Sequence, residues 1–302
     1  MTQCPPVLIL GFNRPDSVRR LVESILPAKP GAVFAMIDGP REDRQDEATK
    51  CASSLEAVEA ADWQCPVHAQ LREKNLGCQR SVSQAIDWFF QNVPEGIILE
   101  DDCLADPSFF RFCGELLDRY RDHDSVGCIT GDNFQRGRSV TRDSYYFSRH
   151  AHCWGWATWA NRWSVFDFEM NSTRQDHEIA KGMDCPVLET RYWCQKFAET
   201  RAGLTNSWAF RWTWSLWNHN LATITPDKNL VQNVGFGADA THTKFRKRVP
   251  EAESLEFPLR HPSEITLHKE ADRFVGRQHF GATPLRPLRL LISKTLQTVR
   301  GR

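Results

Sequence analysis

Glu100, Asp101 and Asp102 follow directly on the apolar run Ile97-Ile98-Leu99. Three carboxyl groups in a row at the end of a buried strand repel one another and are costly to desolvate. A divalent cation relieves that repulsion, and a hard cation with open positions also takes up phosphate oxygens. The plain alternative is a solvated turn after a strand. A lone acidic triplet does not separate the two readings, so the weight falls on what surrounds it.

The elements that must position these acids can be read from the apolar pattern. Val7-Leu8-Ile9-Leu10 is a continuous apolar run, suited to a parallel strand covered on both faces. Asn13-Arg14-Pro15-Asp16 and an amphipathic stretch over 17–26 follow it. A second strand over 33–37 ends in Asp38-Gly39-Pro40, and residues 41–61 read as a second helix. A short third strand is predicted over 67–71, then a turn at Asn75-Leu76-Gly77 and a helix over 80–92. The fourth strand carries the acids. This alternation predicts right-handed crossovers, an α/β fold and a mostly parallel sheet flanked by helices, with ligands beyond the carboxyl ends of the strands. Asn13, Arg14, Asp38, Gly77 and Glu100 to Asp102 all fall at such ends. Further on, Asp106-Pro107 starts a helix that runs to about Arg121, and residues 126–129 form another strand.

Composition narrows the class. The 302 residues suffice for a full core, and 38 basic residues balance 38 acidic ones, so no global field favours nucleic acid. Ten cysteines are scattered without a Cys-x-x-Cys pair, which predicts reduced thiols and a cytoplasmic location. The apolar stretch 5–12 is too short for a signal peptide or a membrane span. There is no internal repeat. Eleven tryptophans are many for this length, and nine of them lie beyond Tyr145, at 154, 156, 159, 163, 193, 208, 212, 214 and 217.

With these residues in view, the chain resembles glycosyltransferases of the GT-A fold, above all N-acetylglucosaminyltransferase I and the bacterial HlpA-like nucleotide-diphospho-sugar transferases. The likeness rests on Ile97 to Cys103 followed by Pro107-Ser108-Phe109-Phe110-Arg111-Phe112, which is similar to the family's Glu-Asp-Asp motif and following helix. Pro6 to Arg14 is similar to its first strand and nucleotide-binding turn, and Ile37-Asp38-Gly39 to its uracil-contacting site. Trp154-Gly155-Trp156 sits where the family has an acceptor-side loop, and Asn229 to Gly237 is similar to a late loop that closes over the donor. The change of character at the tryptophan-rich stretch sets a donor half over 1–135 and an acceptor half over 136–283 of the same domain, and the alternation of leucines with arginines sets a basic amphipathic tail over 284–302. One position departs. Where the family carries a Trp-Asp pair with its catalytic base, this chain reads Trp208-Ala209. Alanine accepts no proton. The intact surroundings favour an aspartate-to-alanine change at 209, which leaves a form that binds substrates and turns over poorly. The other explanation is a base supplied by Asp167, Asp239 or His242.

The roles follow from what transfer of a sugar from a nucleotide diphosphate requires: neutralising the leaving diphosphate, fixing the anomeric carbon, and a base for the attacking hydroxyl. Asp102 is expected to ligate Mn2+ or Mg2+, with His242 as a second ligand. Asp101 and Glu100 are expected on the ribose hydroxyls or the sugar, Asp38 on the base or ribose, and Arg14, with Asn13 beside it, on phosphate or base. Trp154, Trp156 and Trp208 are expected to stack on an acceptor sugar. Glycan, lipid-linked saccharide and other hydroxyl acceptors all remain open. The basic amphipathic tail either touches the inner face of the membrane, binds a partner, or packs on the core. Two other classes are kept: a sugar nucleotidyltransferase, which ordinarily shows a glycine-rich basic loop after its first strand, and a non-catalytic sugar- or nucleotide-binding relative.

Overall fold

The computed structural model describes residues 4–235 and 250–283. Its first half runs β1 (Val7–Gly11), α1 (Pro15–Ile25), β2 (Val33–Ile37), α2 (Glu47–Glu59), β3 (Val67–Leu71), α3 (Gly77–Asn92), β4 (Glu95–Glu100), β5 (Cys103–Ala105), α4 (Pro107–Tyr120) and β6 (Val126–Thr130). The remainder runs β7 (Tyr145–Ser148), β8 (Trp156–Trp159), α5 (Ala160–Trp163), α6 (Asp176–Gly182), α7 (Val187–Arg201), α8 (Trp208–Asn218), β9 (Ala222–Pro226), β10 (Val231–Asn233) and α9 (Lys269–Gln278). Eight strands form one sheet in the order β3-β2-β1-β4-β8-β6-β9-β7. β1 pairs in parallel with β2 and β4, β2 with β3, and β6 with β9; β8 is antiparallel to β4 and β6, and β7 to β9. Six strands therefore run one way and two the other. This is an α/β fold with a mostly parallel central sheet flanked by helices.

The continuous apolar runs have a simple consequence. Successive side chains of a strand point to opposite faces, so a strand apolar throughout must be covered twice. Val7, Ile9, Val33, Ala35, Ile97 and Leu99 pack on one side with Val18, Leu21 and Val22 of α1 and Phe109, Phe112 and Leu116 of α4. Leu8, Leu10, Phe34, Met36 and Ile98 pack on the other with Val82, Ile86 and Phe89 of α3 and with the tryptophans of α8. Each such side chain, fully buried, contributes roughly 1.5–3 kcal/mol. β3 reads differently because it is an edge strand, and its exposure alternates along Val67–Leu71.

Two features of the second half were not legible beforehand. Trp156–Trp159 is a strand inserted antiparallel between β4 and β6, so Trp154 and Gly155 form the turn that enters it. β5 and β10 form a separate antiparallel ribbon, and Val234 N–H bonds to the Asp102 carbonyl at 2.8 Å just past it. That ribbon ties the late loop to the acidic triplet. Elsewhere a buried ion network anchors the helices. Arg149, at the end of β7, bonds through Nε to Glu189 of α7 at 3.1 Å and faces Asp272 of α9 at 3.5 Å. His242 and the tail 284–302 lie outside the described residues, as do Asp239, Phe236 and Gly237.

Candidate functional site

The parallel ladder continues one residue past each strand and gathers the strand-end residues along one edge. Asp101 N–H bonds to the Leu10 carbonyl at 2.9 Å, Asp38 N–H to Gly11 at 2.9 Å, and Arg72 N–H to Ile37 at 3.0 Å. Cys78, on the first turn of α3, records the result: burial pushes its thiol up to about 12, and Glu100, Asp38 and Asp102 add to the shift. Three of the acids expected at the site thus act on one thiol.

Within the triplet each acid meets a different fate. Asp101 is buried and takes a bidentate ion pair from Arg14, through Nε at 3.1 Å and through the second guanidinium nitrogen. Burial pushes the Asp101 carboxyl up, Arg14 opposes that, and the charge of Asp102 adds to it. Glu100 is pushed up to about 8 by burial and then by its acidic neighbours, while a hydrogen bond from the Trp208 indole, which can only donate, opposes the rise. Asp102 keeps the freest oxygen: Oδ1 accepts from Asn233 Nδ2 at 3.0 Å, and Oδ2 meets only the far edge of Arg14 at 3.5 Å among its described side-chain partners. The main chain of Gly235 runs against that carboxylate, closely enough that any Cβ there would collide with Oδ2.

This geometry fits a cation at Asp102. Its hard carboxylate oxygen packs against the bare main chain of Gly235, and the ion pairs of Asp101 and Asp102 are both made with Arg14. No group of three His, Cys, Asp or Glu side chains among the described residues forms a complete protein-only metal site. The donor set is thus one carboxylate, suited to a cation shared with a ligand's oxygens.

Other expected donor residues are drawn into the protein's own structure. Arg14, expected on phosphate or base, spends its guanidinium on Asp101 and Asp102. Asp38 accepts from the Gly39 and Leu76 N–H groups on Oδ1, and from Asn75 Nδ2 and the Gly77 N–H on Oδ2, at 3.0 to 3.2 Å. Four donors occupy its lone pairs and pin the loop that starts α3. Asn13 donates to Glu47 Oε1 at 3.0 Å. Glu47, buried at the start of α2 and also held by Arg41, ties the loop after β1 to the loop after β2 and was not singled out from the sequence.

On the acceptor side the expected tryptophan platform is revised. Trp156 is 1 % exposed and Trp208 3 %. The two rings stack at 5.6 Å and join Trp163 and Trp212 in an aromatic core, so neither offers a face to a sugar. An indole serves a core and a sugar platform equally well, and only burial distinguishes them. Trp154 is half-buried and stands edge-on to Phe134 at 5.1 Å. Gly155 holds φ +74 with Val231 and Leu99 against it, a turn that a side chain would disrupt. Asp167, offered as an alternative base, spends its oxygens on the N–H groups of Glu169, Met170 and Asn171.

A cavity of about 160 Å³ opens beside this cluster, lined by residues that include Asp132, Phe134, His152, Cys153, Trp154 and Ala209. Sequence reasoning missed Asp132. The signal was there, since it stands two residues past the apolar strand β6, in the same relation that Asp102 has to β4. Burial pushes its carboxyl well up, opposed only by the Trp154 N–H on Oδ2 at 3.0 Å.

No protein-family model matches the chain, and no curated protein matches it. Among solved structures it is similar to a mannosyltransferase from Pyrobaculum calidifontis determined with GDP-Man and Mn2+, at 10% identity over 71% of this chain and 69% of that one, with a TM-score of 0.36. It is also similar to a UDP-glucose pyrophosphorylase determined with UDP-glucose, at 8% identity over 54% of this chain and 78% of that one, with a TM-score of 0.33.

Proposed function

We propose that this chain is a glycosyltransferase of the GT-A type that takes a sugar from a nucleotide diphosphate, UDP-sugars foremost, and passes it with inversion to a hydroxyl acceptor. The observation that carries the reading is Asp102: a strand-end carboxylate with an available oxygen, backed by two further acids and bounded by the bare main chain of Gly235. The motif resemblance around residues 97–112 and 229–235 points the same way.

Asp102 would hold Mn2+ or Mg2+ there, with His242 as an expected second ligand, and such a cation supplies Lewis-acid neutralisation of a leaving diphosphate. The chain's own residues do the rest. Arg14 holds Asp101 closely and reaches Asp102 only at 3.5 Å. Glu100, tied to Trp208, accepts from donor hydroxyls once ionised. Asp38 contributes through the loop it pins, not as a free acceptor. Ala209 contributes no proton acceptor. No described helix is long and apolar enough to cross a membrane.

The test is release of nucleoside diphosphate from a panel of UDP- and GDP-sugars with sugar acceptors, with and without Mn2+ or Mg2+. Cation-dependent release that D102N abolishes supports the reading. Formation of pyrophosphate with a nucleotide sugar from a nucleoside triphosphate would instead assign a nucleotidyltransferase, and nucleotide binding without turnover in the wild type or in A209D would assign a binding protein.

A further inference from the structure

The cavity beside the aromatic core raises a question of its own, because its wall carries a methyl group at 209, where the resembling family has a carboxylate, and yet a carboxylate stands in it. Among the described lining residues Asp132 is the one acid. Oδ2 is fixed by the Trp154 N–H, whereas Oδ1 is buried with no hydrogen-bond partner in the protein. A buried polar oxygen left unsatisfied costs about 1–3 kcal/mol, and such a cost persists where the group has a ligand to meet. His152 does not offset the charge as a cation, since burial and the neighbouring His279 and His150 hold it neutral.

The cavity also adjoins the donor edge. Trp208, which bonds to Glu100, immediately precedes Ala209 in α8. Cys153 in the cavity wall lies within the electrostatic reach of Glu100 and Asp102 as well as of Asp132. Gly155, next to Trp154 of the wall, packs against Leu99 of β4, the residue before Glu100, so the cavity adjoins the strand end that carries the triplet.

We infer that Asp132 is the catalytic base of this chain, with Oδ1 receiving the acceptor hydroxyl of a single uncharged sugar ring seated against Phe134 and Trp154. This inference rests on the nucleotide-sugar reading above. About 160 Å³ has room for one ring, aromatic walls suit the C–H face of a pyranose, and no lysine or arginine among the described lining residues answers an anionic acceptor. In the step itself the acceptor O–H bond breaks and its proton goes to Asp132 Oδ1. The freed electron pair forms the new bond to the anomeric carbon. The bond from that carbon to the phosphate oxygen breaks, and its electron pair leaves with the nucleoside diphosphate. Asp132 then returns the proton to water. No oxidant or further reactant is needed. The chain thus meets the requirement for a base from β6 instead of α8.

The experiment has two arms on the full chain. In the first, calorimetry follows UDP and GDP with Mn2+ in wild type and D132N. In the second, nucleoside diphosphate release from UDP- and GDP-sugars is followed with methyl glycosides as acceptors, for wild type, D132N, A209D, and D132A with and without formate. D132N keeps an oxygen for the Trp154 N–H, and D132A leaves room for formate as a replacement base. The expected results are nucleotide binding equal in wild type and D132N, turnover lower by about 10²–10⁴-fold in D132N, and partial recovery of D132A by formate. Turnover by D132N within twofold of wild type overturns the proposal while nucleotide binding keeps the underlying reading intact. So does a wild type silent toward a donor that A209D turns over. Absence of nucleotide binding in the wild type removes the underlying reading, and Asp132's role with it.

Discussion

The two sides of the candidate site treat buried acids in opposite ways. At the strand ends β1, β2 and β4, nearly every carboxylate is answered from within the chain: Asp101 by Arg14, Asp38 by four N–H groups, Glu47 by Asn13 and Arg41. In the aromatic half, Asp132 is answered by one N–H and has an oxygen left over. The first arrangement is a scaffold in which Asp102 has the fewest described partners. The second stores the unmet polarity in a cavity. Buried polar groups are ordinarily satisfied, so an unsatisfied carboxylate oxygen beside a cavity stands out.

The sharpest way to break this contrast is to remove the scaffold's cation. R14M strips Asp101 of its partner while Asp101 stays buried, and a loss of about 3–5 kcal/mol in urea unfolding is expected. A loss under 1 kcal/mol would mean that the triplet does not depend on Arg14.

The pH dependence of stability should separate the triplet from the ion network of the second half. Glu100 has its folded pKa raised from 4.5 to about 8, so the native state holds that proton more tightly than the unfolded chain does. Its contribution is present below about pH 4.5 and is lost as pH rises toward 8. Glu189 runs the other way. Although burial alone would raise it, His150 and Arg149 lower it to about 2. Its contribution is present above pH 4.5 and is lost as pH falls toward 2. Denaturant titrations across pH should show the alkaline loss vanish in E100Q and the acidic loss shrink in E189Q.

Smaller effects should come from the cradle and the cavity. G235A places a methyl group against Asp102 and should weaken cation-linked nucleotide binding about tenfold, read by calorimetry, with little change in melting temperature. D132N should leave stability unchanged or raise it by up to about 1 kcal/mol, because it removes a charge that burial penalises and keeps an oxygen for the Trp154 N–H. If D132N destabilised the chain as R14M does, Asp132 would be scaffold as well.

Much of the sheet was legible because the strands over 7–10, 33–37 and 97–99 are apolar on both faces, and only a doubly covered strand explains that pattern. The acids at their ends were legible for the same reason: a charge that abruptly stops a buried run marks an edge. The four-residue strand Trp156–Trp159 was not, since a run so short has no readable period and its antiparallel insertion is decided by tertiary packing. The burial of Trp156 and Trp208 was hidden too, because their stacking partners Trp163 and Trp212 are brought in by other elements. Asp38 was expected on the base or ribose, and the partners that occupy it instead, at 75–77, are nearly forty positions away.

The central claim is that Asp102 and a nucleoside diphosphate share a cation. Isothermal titration of UDP and of GDP, each with and without Mn2+, in wild type and D102N, tests it most directly. The expected result is that Mn2+ tightens nucleotide binding, that nucleotide tightens Mn2+ binding by the same factor, and that D102N loses this coupling. Nucleotide affinity that is the same with and without Mn2+, or coupling that survives in D102N, would contradict it.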